Sequence, residues 1–134
     1  MQGIEVNVRG FHCDAYGHVN NARYLEFLED ARWEYLQPAV DQNFFEVRNL
    51  IFVVVNINVS YKKPVMPNTK IKVEVTGASF NNKSIIVRQE IRDVDSSMLM
   101  TYAEVTFVLL DKVTWKPASI TEEIITKFEE LNNA

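Results

Sequence analysis

The chain has 134 residues, of which 47% are apolar, 24% charged and 11% aromatic. These proportions are typical of one globular domain and exclude disordered, collagen-like and low-complexity chains. Its 14 basic and 18 acidic residues give a formal net charge of -4, whereas a non-specific nucleic-acid binder usually carries the opposite balance. We therefore expect a single domain over residues 1–134 that does not bind nucleic acid.

The cysteine content and the apolar segments predict a cytoplasmic protein. Cys13 is the only cysteine, which excludes an intrachain disulfide and a cysteine-based zinc site. The first residues lack the basic-then-apolar order of a signal peptide. The longest apolar stretch lies around residues 50–55, far short of the ~20 residues that cross a bilayer. We expect no membrane insertion.

A strand, a polar connection and a helix are the first elements predicted along the chain. Ile4, Val6 and Val8 alternate with polar residues, which is the period of a half-buried strand. A turn-rich connection follows over residues 11–21. Residues 21–36 then predict a helix that is apolar over about half its circumference and therefore largely enclosed by other structure. Its apolar residues are Tyr24, Leu25, Phe27, Leu28, Ala31, Tyr35 and Leu36.

Long strands dominate the middle of the chain, after a loop over residues 37–49 that Pro38 opens. In the first of these strands, the odd-numbered face is apolar throughout and is expected to be buried along its length. Its even-numbered face changes midway from apolar residues to Asn56, Asn58 and Ser60. The four predicted strands span residues 50–61, 70–80, 84–92 and 98–110.

The chain ends in a predicted amphipathic helix. Thr121 is a candidate N-cap, and the apolar face consists of Ile124, Ile125, Phe128 and Leu131. The expected fold class is α+β, with an antiparallel sheet curled around the first helix. So short a chain has little else to cover that helix and the free strand edges, so we expect a homodimer that joins edge strands into a larger sheet.

A polar cluster in the connection before the first helix carries the candidate chemistry: His12, Asp14, His18, Asn20 and Asn21. A carboxylate ahead of a helix can lie beside the free N–H groups of its first turn, which form an anion site. This pairing suits acyl transfer, because the carboxylate attacks or directs water while N–H groups hold the oxyanion. A turn-forming Asp14 and a helix-capping asparagine explain the same residues without chemistry.

Three further interpretations concern neighbouring residues. His12, Asp14 and His18 include the ligand types of a facial metal triad, although no partner comes from a distant strand. Cys13, beside an acidic residue, lacks the electropositive setting of a nucleophilic thiolate and is expected to be packed. Glu29 and Arg32 interrupt the apolar arc of the helix, and a structural ion pair is favoured over a catalytic one.

The segment FHCDAYGHVNNARYLEFLEDAR resembles the signature of hotdog-fold acyl-CoA thioesterases of the 4-hydroxybenzoyl-CoA thioesterase type, in particular the bacterial long-chain ones. A later run, FVVVNINVSYKKP, fits the same family, and the resemblance covers most of residues 3–110. It implies a hotdog fold, in which an antiparallel sheet of about five strands wraps a long helix and is shared between two copies. It also implies hydrolysis of medium- to long-chain acyl-CoA to fatty acid and CoA, without a metal or redox cofactor.

The resemblance assigns catalytic roles residue by residue. Asp14 corresponds to the family's catalytic carboxylate, acting as nucleophile or as general base toward water. Asn21 corresponds to the helix-start residue whose backbone N–H polarises the thioester carbonyl, and His18 stands in the same motif. Many relatives have an acidic or aromatic residue where this chain has His12, which leaves the chemistry of that position open.

The resemblance also suggests where the substrate binds. Lys83, followed by Ser84, corresponds to a contact with a CoA phosphate and would serve the active site of a second copy. Lys62 and Lys63 fit a phosphate-facing role as well. The acyl chain would contact apolar residues, namely Tyr24, Phe27, Phe52 and Val54.

Two functions of other classes stay open from the sequence. A non-hydrolytic acyl-CoA-binding module of the same fold would bind the substrate and release no thiol. A hydroxyacyl-thioester hydratase also uses an aspartate and a histidine, but in a motif that this sequence does not match. The sequence leaves a dimer and a dimer of dimers equally open.

Overall fold

The structure is a computed structural model that describes residues 3–133. Within this range, five strands form one antiparallel sheet in the order β1-β3-β4-β5-β2. The strands are β1 (Gly3–Asn7), β2 (Leu50–Tyr61), β3 (Lys70–Phe80), β4 (Ile85–Asp93) and β5 (Leu99–Asp111). The helices are α1 (Asn21–Asp41) and α2 (Glu122–Asn132), and short 3-10 turns occupy Gly10–His12 and Glu46–Arg48. The α+β class is confirmed.

α1 is longer than the sequence pattern predicted, because it continues through Pro38 to Asp41. A proline inside a helix removes one backbone hydrogen bond, here the bond to the carbonyl of Glu34. Glu34 is exposed, so water can reach that carbonyl. Tyr35 and Ala39 are buried in the core on either side of the proline, and this packing holds the last turn in place. The predicted loop opening at Pro38 was therefore wrong.

The predicted enclosure of α1 is only partly right. Six of the seven apolar residues in the predicted arc are buried, but Leu25 is 41% exposed. Trp33, two turns further along, is 48% exposed. One side of the helix is therefore open within a single chain.

β2 differs from its predicted pattern because of a β-bulge at Val55, where the register with β5 shifts. An extra residue in a strand reverses which face the following side chains occupy. Before the bulge, Phe52 and Val54 pair with the buried Leu109 and Phe107, and after it Ile57 pairs with the buried Val105. The inner face is thus even-numbered first and odd-numbered later, and the prediction of one odd-numbered buried face was wrong.

Buried apolar residues form two clusters. The distal cluster lies at the C-terminal end of α1 and includes Tyr35, Phe44, Phe45, Leu50, Phe107, Ile124, Phe128 and Leu131. The loop-side cluster lies under the N-terminal half of α1 and includes Val8, Val19, Tyr24, Phe27, Leu28, Val65, Ile71 and Ile91. As predicted, Thr121 caps α2, since its side chain accepts a hydrogen bond from the Ile124 N–H at 3.3 Å. Neither helix is long and apolar enough to cross a membrane within residues 3–133.

Candidate active site

The connection between β1 and α1 folds back on itself as a small antiparallel ladder. The Asp14 N–H donates to the His18 carbonyl at 3.0 Å, Cys13 and Val19 form an isolated bridge, and the Asn20 N–H donates to the His12 carbonyl at 2.8 Å. We call residues 10–20 the catalytic loop, because they contain most of the candidate catalytic residues predicted from the sequence. Its tip turns at Gly17, whose φ of +84° is a conformation that other residues rarely adopt.

Two hydrogen bonds tie the catalytic loop to the segment after β2. The Val19 N–H donates to the Val65 carbonyl at 2.9 Å, and the Val65 N–H donates to the Tyr24 hydroxyl oxygen at 3.0 Å. Val19, Tyr24 and Val65 are all at most 2% exposed. The loop is therefore fixed by backbone bonds on both sides of a buried seam, although its tip faces solvent.

Asp14 is partly exposed at the end of this ladder. One carboxylate oxygen, Oδ1, accepts a hydrogen bond from the Tyr16 N–H at 2.9 Å. The other oxygen accepts no hydrogen bond from residues 3–133, so it is available to a substrate or to water. Asp14 lies two ladder steps from the pair that joins His12 to Asn20, which corresponds to roughly 7 Å of strand.

Asn20 is the N-cap of α1 and organises the start of the helix. Its Oδ1 accepts a hydrogen bond from the Ala22 N–H, and its carbonyl accepts one from the Arg23 N–H, both at 2.9 Å. The Asn21 N–H has no acceptor among residues 3–133. It points from the positive end of the α1 dipole, where a negatively charged oxygen is stabilised. The capping interpretation and the chemical one therefore apply to adjacent residues: Asn20 caps, and Asn21 offers a free donor.

His12 faces inward and supports the loop. It is 9% exposed, and its Nδ1 accepts a hydrogen bond from the Arg9 N–H at 2.8 Å. Its ring meets the edge of Phe27, with 5.3 Å between ring centroids. Burial, assisted by the positive charge of Arg23, lowers the pKa of His12 below its ordinary value. The imidazole is therefore neutral and carries its proton on Nε2.

His18 takes a different position, partly exposed, with its ring stacked on Tyr16 at a centroid distance of 6.4 Å. His12, Asp14 and His18 do not converge, and residues 3–133 contain no group of three His, Cys, Asp or Glu side chains placed to hold a metal. The metal-triad interpretation therefore has no geometric support.

Cys13, between His12 and Asp14, places its thiol 3.7 Å from the Arg9 carbonyl.

The lysines with a predicted phosphate role lie at opposite ends of the sheet. Lys62 and Lys63 are exposed, and both backbone N–H groups donate to the Met100 carbonyl. They follow Tyr61, whose ring contacts that of Tyr24 at 4.9 Å, so they share the end of the molecule that carries the catalytic loop.

Lys83 and Ser84 lie in the turn between β3 and β4. Asn81 fixes that turn through hydrogen bonds from its backbone N–H and its side-chain amide to Ser84, at 2.9 and 3.1 Å. β3 begins at the end of the sheet that carries the catalytic loop, because Val8, two residues before that loop, donates its N–H to the carbonyl of Thr69, one residue before β3. The strand then runs for 11 residues to the turn. That length corresponds to roughly 35 Å. One chain alone therefore does not bring Lys83 to Asp14.

A groove between α1 and β2 is lined largely by apolar side chains. It consists of two cavities, of about 350 and 180 Å³, which share Trp33 and Phe52. Phe52 thus lies where an acyl chain could contact it. Tyr24 instead belongs to the loop-side cluster, and burial raises the pKa of its hydroxyl.

Comparison with known proteins identifies the family. The family model described as the thioesterase-like superfamily matches residues 8–128. This chain belongs to the thioesterase-like superfamily. It is 38% identical over 127 residues to the long-chain acyl-CoA thioesterase FadM of Escherichia coli strain K12, a match that spans 95% of this chain and 96% of that relative.

Solved structures agree with this assignment. The probable thioesterase YbaW from Escherichia coli superposes with a TM-score of 0.91 at 37% identity, over 98% of each chain. A thioesterase from Thermus thermophilus, complexed with coenzyme A and Zn, gives a TM-score of 0.82 at 25% identity over 99% of this chain and 95% of that one. The expected hotdog fold, an antiparallel sheet packed around a long helix, is confirmed.

Two features of this thioesterase-like chain were missed or misjudged from the sequence. Trp33 was not recognised as a groove residue, although an exposed tryptophan at the edge of a polar helix stripe is a usable signal. The predicted ion pair between Glu29 and Arg32 was wrong: no ion pair within residues 3–133 joins them, and Arg32 donates instead to Gln89 at 3.1 Å. Glu29 accepts instead from the Trp33 indole N–H at 3.4 Å.

Proposed function

We propose that this member of the thioesterase-like superfamily is an acyl-CoA thioesterase that hydrolyses medium- to long-chain acyl-CoA to a fatty acid and CoA. The observation that carries the proposal is that a partly exposed carboxylate, Asp14, and the Asn21 N–H, which meets no acceptor in residues 3–133, lie in the same short connection at the start of α1. The FadM relative acts on long-chain acyl-CoA, and the Thermus thermophilus neighbour is complexed with coenzyme A, which supports this substrate class.

The chemistry requires little beyond these two groups. The thioester carbonyl oxygen accepts a hydrogen bond from the Asn21 N–H, which stabilises the negative charge that develops during attack. Asp14 either attacks the carbonyl carbon or removes a proton from an attacking water. The C–S bond then breaks, and CoA leaves as a thiolate that takes up a proton from solvent. If Asp14 was the nucleophile, water hydrolyses the resulting acyl-aspartyl anhydride to the fatty acid and the free carboxylate. If Asp14 was the base, the fatty acid forms directly and Asp14 returns its proton to solvent. His18, which follows Gly17 at the tip of the catalytic loop, is proposed to contact the thioester.

The groove between α1 and β2 is proposed to hold the acyl chain. From the Asn21 end, exposed Leu25, Ile57 and Tyr61 lead toward the two cavities that share Phe52. α1 rises about 1.5 Å per residue, so its 21 residues extend over roughly 30 Å. That length accommodates a long aliphatic chain. Tyr24 is proposed to act indirectly, by holding Tyr61 and Val65.

The active form is proposed to be a homodimer, or a dimer of such dimers, in the cytoplasm. β2 is an edge strand, with side chains from Val54 to Ile57 at least 38% exposed where they are apolar. Pairing β2 with its copy about a twofold axis sets the Tyr61 end of one strand beside the Leu50 end of the other. The Lys83 turn lies at the Leu50 end, so each copy would present Lys83 and Ser84 to the CoA bound by the other.

A thiol-release assay tests the function itself. Acyl-CoA esters of increasing chain length are incubated with the protein and 5,5′-dithiobis(2-nitrobenzoate), which reports each CoA thiol released. Release that increases toward long chains is the expected result. Binding without release would support the acyl-CoA-binding module instead, and addition of water across an enoyl thioester without thiol release would support the hydratase.

The shared-site arrangement has its own test. Lys83→Ala should raise the KM for acyl-CoA at low ionic strength and leave a pantetheine thioester, which lacks the nucleotide phosphates, unaffected. Lys62→Ala and Lys63→Ala are tested beside it. Lys72→Ala is the control, because Lys72 is exposed on the face of β3 opposite the buried Val73, and it should leave KM unchanged. Sedimentation at micromolar concentration should give a dimer or larger, whereas a fully active 15.5 kDa species would contradict the shared site.

A further inference from the structure

The smaller cavity of the groove contains a guanidinium group that the proposed hydrolysis does not use. Arg32 projects from the middle of α1 into this space of about 180 Å³, where most of the surrounding side chains are apolar. The lining consists of Glu29, Arg32, Trp33, Leu36, Phe52, Val54 and Phe107. A cation in such a place is costly unless it meets a partner, so the polar groups around it decide what it can bind.

A buried amide fixes the position of the Arg32 head group. Arg32 Nη1 donates to Gln89 Oε1 at 3.1 Å, and Gln89 Nε2 donates to the Leu28 carbonyl at 2.9 Å. Gln89 is completely buried, and the bond to Leu28 determines which end of its amide faces Arg32. The guanidinium is therefore held by a rigid acceptor on β4, while its remaining donors meet no acceptor in the described part of the chain.

The unused donors face a cavity that also contains an acceptor. A guanidinium has five N–H donors, and one is satisfied by a side chain within residues 3–133. Glu29 lies at the same cavity but forms no ion pair with Arg32 in the described part of the chain. Partial burial lowers the pKa of Arg32, while Glu29 opposes the shift. Arg32 nevertheless stays charged, because an arginine retains its proton in proteins.

We propose that Arg32 and Glu29 form a specificity site for a hydroxyl group on the acyl chain. A hydroxyl both accepts and donates, so it can accept from Arg32 and donate to the Glu29 carboxylate. A plain alkyl chain adds no partner to either group, so Arg32 keeps only its bond to Gln89 and Glu29 only its bond from the Trp33 indole N–H among residues 3–133. A carboxylate on the chain would be attracted by Arg32 but repelled by Glu29, and it has no proton to donate.

The position along α1 indicates which hydroxyl is recognised. Arg32 lies 11 residues after Asn21, which corresponds to roughly 16 Å along the helix axis. The hydroxyl is therefore far from the thioester, in the distal part of a long chain. This inference rests on the proposed function, because it takes the thioester to lie at the Asn21 N–H.

The test compares acyl-CoA esters of one chain length that differ only in substitution: unsubstituted, hydroxylated at successive distal carbons, and carboxylated at the end. For the best-placed hydroxyl, kcat/KM should exceed that of the unsubstituted chain by roughly tenfold, the worth of one charge-assisted hydrogen bond. Arg32→Met should bring this ratio close to one. Arg92→Met removes a guanidinium from the opposite face of the sheet, where it pairs with Glu90, and should leave the ratio unchanged.

A second variant keeps the proposal falsifiable if Arg32→Met fails to fold. Glu29 is exposed, and Glu29→Gln should raise the kcat/KM ratio of the carboxylated to the hydroxylated chain several-fold. The proposal is overturned if wild type prefers the unsubstituted chain at every position, or if neither variant changes these ratios. It is also overturned if Arg32→Met reduces all substrates equally, as loss of a contact to a second copy would. Absence of thiol release from every ester would instead refute the proposed function.

Discussion

The two ends of α1 are held by different interactions. At the N-terminal end, backbone hydrogen bonds fix the catalytic loop, and the helix begins at an asparagine cap next to an N–H that residues 3–133 leave without an acceptor. At the C-terminal end, the distal cluster packs aromatic rings around Phe128, which contacts the rings of Tyr35, Phe45, Phe80 and Phe107. The distal end is held by apolar contacts, whereas the loop end is held by directional hydrogen bonds.

This contrast separates stability from chemistry. Aromatic burial contributes free energy in proportion to area and needs no unsatisfied polar group. A catalytic carboxylate must keep at least one oxygen open to substrate or water, and an oxyanion donor must keep its N–H open, so the loop around them gains its rigidity from hydrogen bonds to the neighbouring backbone. We therefore expect changes at the distal end to affect mainly folding, and changes at the loop end to affect turnover beyond their effect on folding.

The largest effect on stability is expected from Phe128→Ala. Phe128 is completely buried in the distal cluster, so its truncation should lower the free energy of unfolding by about 3–5 kcal/mol. Urea unfolding measures this loss, and the kcat of the remaining folded enzyme should stay near that of wild type. Val19→Ala, in the loop, is the matched variant. Loss of its two methyl groups should lower the free energy of unfolding by roughly 2 kcal/mol and should also clearly lower kcat. A larger fall in kcat for Phe128→Ala than for Val19→Ala would contradict this separation of stability from turnover.

Removing the helix caps at the two ends should have equal effects on stability and unequal effects on activity. Asn20→Ala and Thr121→Ala each delete one cap and should each cost about 1 kcal/mol of unfolding free energy. Only Asn20→Ala should lower kcat, because it loosens the turn that presents the Asn21 N–H. Asn20→Ser restores a capping oxygen and should recover most of the activity. Equal kcat values for the two alanine variants would show that the helix start plays no part in turnover.

The smallest effect concerns pH and His12. Because burial lowers the pKa of His12, the unfolded chain takes up a proton near the ordinary value of 6.5 while the folded chain stays neutral. The unfolded state thus binds more protons just below pH 6.5, and the stability present above that pH is lost as the pH falls through this window. The urea midpoint of unfolding, measured from about pH 5 to 8, gives the slope of stability against pH. His12→Asn, which keeps an acceptor for the Arg9 N–H, should flatten it, and an unchanged slope would assign it to other groups.

Periodic features of the fold were predictable from the sequence. The alternation in β3, β4 and β5 directly reflects one buried face, and each strand lies within a residue or two of its predicted bounds. Thr121 predicted the start of α2, because a capping side chain bonds to the first turn of the helix that directly follows it. The cluster around Asp14 was recognisable for the same reason, since a loop and the helix that follows it are close in sequence.

Features that depend on partners far along the chain were not predictable. The bulge at Val55 is a property of the pairing with β5, and the sequence of β2 alone does not reveal it. α1 continues through Pro38 because the distal cluster holds its last turn. Arg32 bonds to Gln89, which lies 57 residues away, so a search for partners within one helix selected Glu29 instead.

Asp14 is proposed to perform the chemistry beside the Asn21 N–H, and the Asp14→Asn variant tests this role. The amide has the same shape but is neither a nucleophile nor a base, so kcat for a long-chain acyl-CoA should fall by roughly 10²–10⁴-fold. The dissociation constant for the same acyl-CoA, measured on the variant by calorimetry, and its urea midpoint should stay close to wild type. Retention of more than about a tenth of the wild-type kcat would contradict the account, because losing general-base help alone costs more than that.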